Sequence, residues 1–472
     1  MKRTTKCLKQ LLIINCSLLI LQACSVSKQI AQSAKADVLN TKALETAHVG
    51  ISIFDPATNK YLYNYQGDKY FVPASNTKLP TCYAAMKYLG DSLVGLRYLN
   101  YKGKEGSDTG MVIEATGDPT FLHPDFKMQK VYAFLKKTNL PIGMATPFFS
   151  NFSYNSGWPI GDLNESYMPP RSNFPIYGNV LRFNIRKETY RVLPGYFLKK
   201  ELVTRIYAKG EPYIDRNNDE NTFVIYADSN VVNYNKTFPI FLSQEYPWKL
   251  IVDTLGKRID EYPKNRFGGS MKIQFENYTH NPMMVDTFGY SSFRILGMTP
   301  LHSQPTDSLL KPMMHNSDNF FAEQSLLMVS DQMLGVMNDE RIIDTLLKTD
   351  FKDLPQKPRW ADGSGLSRYN LFTPQDFVAI LNKMKNEFGM DRIKVILPTG
   401  GEGTISNYYK ADSGYIYGKT GTLSGVVAFS GFLYTKKGKL LIFSTLVNNH
   451  QATATEVRKA VEKFLEGIRN KY

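Results

Sequence analysis

The stretch PASNTKLPTCYAAMKYLG, residues 73–90, constrains this chain more than any other. A turn-forming Pro73-Ala-Ser-Asn76 runs into apolar residues at helical spacing, which predicts a helix with Ser75 at or next to its N-terminus. Lys78 follows one turn later on the same face, within reach of the Ser75 hydroxyl. A serine hydroxyl is a weak nucleophile until a base takes its proton, and a lysine held neutral by desolvation can serve as that base. A helix start also offers free N–H groups to a developing oxyanion. Together these point to serine–lysine acyl transfer. The pattern needs corroboration, because Ser25–Lys28 and Ser308–Lys311 match it too.

The rest of the chain predicts what surrounds that helix. Val49–Phe54 alternates before the Asp55-Pro56 turn, and Tyr61–Tyr65 reads as the second strand of a hairpin. Helical spacing returns at 299, over Pro305–Met314 and Asn319–Leu334, and Thr373 is the N-cap of a further helix. Val426–Tyr434 and Leu440–Val447 are strand-like, and Thr453–Ile468 is helical. Helices would thus enclose an antiparallel sheet that the N-terminal hairpin can join. Between about Tyr98 and Gly297 the texture changes to Tyr, Phe, Asn and Gly with many turns. Short strand-like pieces there, such as Val180–Ile185, Phe223–Tyr226 and Ser270–Phe275, predict inserted, mostly β modules. A chain of 472 residues accommodates two or three domains. The expected fold class is α+β, with a core formed by residues 46–98 and 298–472 and an insertion at 99–297.

Two later motifs corroborate the first. Ser317-Asp318-Asn319 lies between two predicted helices, where a hydroxyl and an amide can enter the same cleft as Ser75. Alone it is weak, since Ser153-Tyr154-Asn155 matches as well. Lys419-Thr420-Gly421 occurs once, at the start of the C-terminal strands. There it presents a cation and a hydroxyl, while Gly421 leaves room for a substrate chain to pair with the edge. The order of the three, and the element each falls on, is a strong combined signal.

With these residues the chain resembles the penicillin-recognising serine enzymes, specifically the D-alanyl-D-alanine carboxypeptidase/endopeptidase family of class C low-molecular-mass penicillin-binding proteins (peptidase family S13). The resemblance runs from about Val49. It includes Pro73–Lys78, GDPTF at Gly117–Phe121, GWPIGDL at Gly157–Leu163, Ser317–Glu323, DGSGLSR at Asp362–Arg368, LPTGGEGT at Leu397–Thr404 and GKTGT at Gly418–Thr422. Ser75 and Ser317 are 242 positions apart, far more than in compact class A β-lactamases. The resemblance implies a β-lactamase/transpeptidase-like core interrupted by inserted domains. It implies Ser75 as nucleophile, Lys78 as its base, Ser317 as proton relay to the leaving amine, and Asn319 as orienter of Lys78 and substrate. Lys419 and Thr420 would hold the terminal carboxylate of D-Ala-D-Ala, and the N–H groups of Ser75 and Thr422 would form the oxyanion hole. Asp162 would bind the diamino acid of the stem peptide; a turn aspartate is the bland alternative. Pro80 departs from the pattern, because it lacks the N–H that a helix running from Ser75 would use.

The N-terminus reads as an export address. Lys2, Arg3, Lys6 and Lys9 precede a short apolar run, Leu11–Leu21, too brief to span a bilayer. Leu21-Gln22-Ala23-Cys24 resembles a bacterial lipoprotein cleavage box. Residues 1–23 are therefore expected to be a signal peptide, Cys24 a lipidated N-terminus, and residues 24–45 a tether, polar over Ser25–Asp37. The expected location is the periplasmic side of a bacterial membrane, the outer one, through this lipid. Cys82 alone of the four cysteines then remains in the mature body, as a buried core residue and not a disulfide partner. The net charge of +14 suits an acidic polymer such as cell wall, and export argues against nucleic acid. No cofactor is expected. No metal is expected either, since the six histidines are dispersed and form no His-Glu-x-x-His. The expected partners are peptidoglycan stem peptides, β-lactams as covalent inhibitors, and the membrane. Competing readings are a serine β-lactamase and a non-catalytic wall-binding or β-lactam-sensing lipoprotein.

Overall fold

A computed structural model of the chain describes residues 26–102, 109–145, 153–217, 220–241, 246–257, 259–261, 275–277, 293–295 and 297–472. The signal segment, Cys24 and residues 270–274 of one expected strand lie outside the described residues.

The core is one five-stranded sheet with both faces covered. The N-terminal hairpin, β1 (His48–Asp55) and β2 (Lys60–Tyr65), joins three C-terminal strands, β3 (Ile416–Leu423), β4 (Val426–Tyr434) and β5 (Leu440–Asn448), in the order β3-β4-β5-β1-β2. All neighbours are antiparallel, and β1 pairs with β5 through Val49↔Val447 and Ile53↔Phe443. Successive side chains of a strand point to opposite faces. In β5, Leu441, Phe443 and Val447 enter one buried cluster while Ile442 and Leu446 enter the other. Burial on both sides explains why these strands read as continuous apolar runs instead of alternating ones.

One face carries α1 (Lys78–Tyr88), α2 (Thr306–His315), α3 (Asn319–Leu334), α4 (Asp339–Lys348) and α5 (Pro374–Ile396, broken at Gly389). Every residue of α3 from Phe320 to Asp331 is buried, so it is a central helix and not an amphipathic surface one. Its N-cap Asp318 accepts from the Phe321 N–H, and Gly335 ends it in a left-handed conformation. Thr373 caps α5 in a reciprocal box with Asp376. The other face is covered by α6 (Ala454–Lys471).

The N-terminal segment corrects the expectation of a polar tether. Residues 26–34 are helical, a wider turn continues over Lys35–Leu39, and Ile30, Ala34 and Val38 are buried with Val461, Phe464 and Ile468 of α6. Asp37 pairs with Lys463 at 3.0 Å. The buried residues recur every four positions, one helical face, but Ala and polar neighbours dilute the signal.

The insertion leaves and re-enters the core on neighbouring strands. Ser92–Lys102 and Thr299–Pro305 pair antiparallel, with Thr299 opposite Tyr98, in a second five-stranded sheet. The expected junction at residue 98 falls inside the first of these strands. Ends held side by side make a long insertion cheap in loop entropy. The insertion also holds two three-stranded sheets and helices Lys130–Lys137 and Tyr246–Leu255, which share a separate apolar cluster, and a two-stranded sheet.

Candidate active site

The active-site candidates converge where α1, α3 and β3 meet. Ser75 sits in a single 3-10 turn, Ala74–Thr77, and α1 begins only at Lys78. This resolves the tension at Pro80: as the third residue of α1, its missing N–H is one the first turn leaves unpaired anyway. A 3-10 turn has three residues per turn and eclipses positions i and i+3. Lys78 Nζ accordingly lies 3.0 Å from Ser75 Oγ.

Lys78 is fully buried and donates also to Asn319 Oδ1 and the Ser364 carbonyl, both at 2.7 Å. Burial pushes its amine down to about 8, against the opposing pull of Asp362, Asp318 and Glu323. A lysine near 8 is neutral often enough at physiological pH to take a proton from the hydroxyl beside it.

Ser317 and Lys419 form a second pair. Lys419 Nζ donates to Ser317 Oγ at 2.9 Å and to the Thr420 carbonyl at 2.7 Å. The lysine is fully buried, and burial, with Lys78 adding to it, holds its amine well below the usual lysine range. Ser317 adopts φ +58°, a left-handed backbone that is costly for a serine and recurs at functional sites.

Close backbone approach fixes the turn that carries Ser75. A Cβ on Gly421 would lie 2.6 Å from the Pro73 carbonyl oxygen and 3.0 Å from the Ser75 nitrogen. The absent side chain of Gly421 thus admits the serine turn, a different use from the expected room for substrate. A Cβ on Gly365 would lie 1.9 Å from the Ala74 carbonyl oxygen. Buried Asn76 donates to Ser430 Oγ at 2.7 Å, which ties the turn to β4.

The loop 361–371 supplies Lys78's third acceptor, the Ser364 carbonyl. Asp362 organises it, accepting from the N–H groups of Gly365 and Ser367, the Asn370 amide and the Trp158 indole. Behind Ser364, its N–H donates to Glu323 Oε1 at 2.7 Å. Glu323 lies one turn beyond Asn319 on α3 and is fully buried, and burial, with Asp362 adding, pushes its carboxyl up to about 8. Sequence reasoning did not single out Glu323, which shares its buried helix with a second carboxylate, Asp331.

Thr420 is buried on β3 and donates to Thr404 Oγ1 at 2.7 Å, and Thr422 Oγ1 accepts from Arg458 Nη2 at 2.6 Å. Asp162 stands in a short surface turn, accepting from the Tyr167 hydroxyl at 2.7 Å. Its link to the cleft is indirect: the Tyr167 carbonyl accepts from Asn319 Nδ2 at 3.0 Å. The competing motif matches have other places. Ser308 and Lys311 are exposed on α2, and Asn155 bonds to Asp339 and the Ala361 carbonyl. Cys82 is free and fully buried.

The chain as a whole is similar to several known proteins. The family model described as D-Ala-D-Ala carboxypeptidase 3 (S13) family matches residues 31–260 and 297–468. The D-alanyl-D-alanine carboxypeptidase DacB of Haemophilus influenzae is 24% identical, over 95% of this chain and 95% of its own length. A D-alanyl-D-alanine carboxypeptidase of Actinomadura is 26% identical, over 88% of this chain and 80% of its own. The crystal structure of penicillin binding protein 4 from Haemophilus influenzae shares the fold, with a TM-score of 0.68 at 21% identity, covering 93% of this chain and 98% of that one.

Proposed function

Because the chain belongs to the D-Ala-D-Ala carboxypeptidase S13 family, we propose that it cleaves D-Ala-D-Ala termini of peptidoglycan stem peptides through an acyl-enzyme on Ser75. It is a serine-type D-Ala-D-Ala carboxypeptidase of the penicillin-binding class. The observation that carries the mechanism is the fully buried Lys78 amine, bonded to Ser75 Oγ, Asn319 Oδ1 and the Ser364 carbonyl.

Lys78 Nζ takes the Ser75 hydroxyl proton as Oγ attacks the carbonyl carbon of the penultimate D-Ala. The oxyanion is received by the N–H groups of Ser75 and Thr422. Ser317, bonded to Lys419, passes a proton to the leaving amine, and the terminal D-Ala departs. Water then attacks the Ser75 ester and releases the shortened peptide. The same steps on a crosslink are DD-endopeptidase activity, which we include in the proposal, with Asp162 contacting the diamino acid. Residues 46–98 and 298–472 act as the catalytic core and 99–297 as the insertion.

We also propose that the enzyme works in the periplasm, exported by residues 1–23 and anchored through lipid on Cys24 to the outer membrane. No helix among the described residues is long and apolar enough to cross a membrane. With residues 26–39 folded against α6, the described structure leaves very little leash between such a lipid and the body.

The test is intact mass after brief exposure to a labelled penicillin, alongside D-Ala release from a D-Ala-D-Ala peptide. A penicilloyl adduct mapped to Ser75, absent in Ser75→Ala, together with released D-Ala, is the expected result. Penicillin turnover without D-Ala release would replace the proposal with a β-lactamase. Neither adduct nor turnover would leave a binding protein.

A further inference from the structure

A substrate of the proposed reaction carries a carboxylate one residue beyond the bond that breaks. Such a group needs convergent donors, and a cation strengthens them. Lys419 is poorly placed to supply the charge. It is fully buried, its amine donates inward to Ser317 Oγ and the Thr420 carbonyl, and burial disfavours its charged form.

The other side of β3 has a better candidate. Thr420 and Thr422 are two residues apart on an edge strand and so share a face. Arg458 reaches this face from the second turn of α6, half-buried, with its guanidinium 5.9 Å from the centre of the Tyr408 ring. It lines a crevice of about 20 Å³ with Thr420, Ile405, Tyr408, Phe429 and Val461. Among the described residues no carboxylate pairs with it within salt-bridge distance. Its contact with Thr422 has a directional consequence. Because Thr422 Oγ1 accepts from Arg458 Nη2, its own hydroxyl proton stays available for an outside acceptor. The guanidinium keeps further N–H groups in a fixed fork suited to a carboxylate.

We propose that Arg458, steadied by Thr422, is the cationic anchor for the substrate's terminal carboxylate and sets the preference for a free C-terminal acid. The proposal rests on the carboxypeptidase reading of the site. Its signature is therefore a preference between two substrates, which is separable from activity itself.

The experiment measures kcat/KM of the full chain on one peptide ending in D-Ala-D-Ala, as the free acid and as the C-terminal amide. Wild type, Arg458→Gln and Arg458→Lys are compared. Each preference is a ratio within one protein sample, so a loss of folded enzyme cancels. Arg458→Gln is expected to lower the acid-to-amide ratio by about tenfold, the scale of one charge-assisted hydrogen bond, chiefly through KM. Arg458→Lys is expected to restore part of it, and added salt to compress the wild-type ratio. An unchanged ratio in Arg458→Gln, or equal losses on both substrates, overturns the anchor. Wild type that cleaves neither peptide fails at the earlier step, the function itself.

Discussion

The buried position of Lys78 makes the pH dependence of acylation a sharp test. Burial lowers its amine from 10.5 to about 8, which amounts to about 3 kcal/mol of disfavoured charge. If neutral Lys78 is the base, the acylation rate constant follows the neutral fraction. That fraction is about one half at pH 8 and about one hundredth at pH 6, so acylation should slow about fiftyfold across the interval and level off above pH 9. Rapid-mixing measurement of penicilloyl-enzyme formation from pH 5.5 to 9.5 reads this directly. Glu323, pushed up to about 8, titrates in the same window, and its carboxylate favours a proton on Lys78. Glu323→Gln removes that charge while keeping an acceptor for the Ser364 N–H, and should move the limb to lower pH. A flat profile, or a limb near 10, would refute neutral Lys78 as the base. A limb unmoved by Glu323→Gln would refute the coupling.

Four further outcomes follow from the same structure. Lys78 has a depressed folded-state pKa, so between about 8 and 10.5 the unfolded chain binds more protons and stability rises with pH. Urea unfolding should show wild type gaining up to about 3 kcal/mol relative to Lys78→Met between pH 7.5 and 10.5. Gly365→Ala places a methyl 1.9 Å from the Ala74 carbonyl oxygen at φ +85°, and should cost about 3–5 kcal/mol together with penicillin acylation. Gly90→Ala, at φ +68° with nothing within 4 Å, should cost only about 1 kcal/mol by the same urea unfolding. Val38→Asp buries a carboxylate in the contact with α6 and should lower the melting temperature by several degrees, while a free, polar tether would leave it unchanged.

What could be read from the sequence was what depends on side-chain identity at short range. Ser75 and Lys78, the Thr373 cap and the apolar runs of β4 and β5 all carry their reason locally. β3 was read only as a motif at a strand start, because the Gly and Lys of IYGKTGTL weaken a strand signal that β4 and the serine turn make good. The third acceptor on Lys78 is the carbonyl of Ser364, a group every residue has, so no composition could mark it. Glu323 and Arg458 are recognisable only through neighbours 41 and 36 positions away. The docking of residues 26–39 was hidden because its three buried side chains are spread among alanines and polar residues.

The inserted region takes part in the site and does not merely decorate it. Between residues 153 and 171 it reaches the neighbourhood of Lys78 at several points. The Tyr167 carbonyl accepts from Asn319 Nδ2, and the Trp158 indole donates to Asp362. Asn155 donates to Asp339, while Arg171 pairs with Asp339 and lies 3.8 Å from Glu323. Asn319, Asp362 and Glu323 are the groups that hold Lys78 or the loop beside it. Removing one partner of a buried charged set leaves the others unpaired, at a cost larger than the contact itself. The groups packed around the buried Lys78 are therefore held in place from both the core and the insertion. A core stripped of residues 99–297 would keep Ser75 and Lys78 in sequence but lose the contacts that hold Asn319, Asp362 and Asp339 in place.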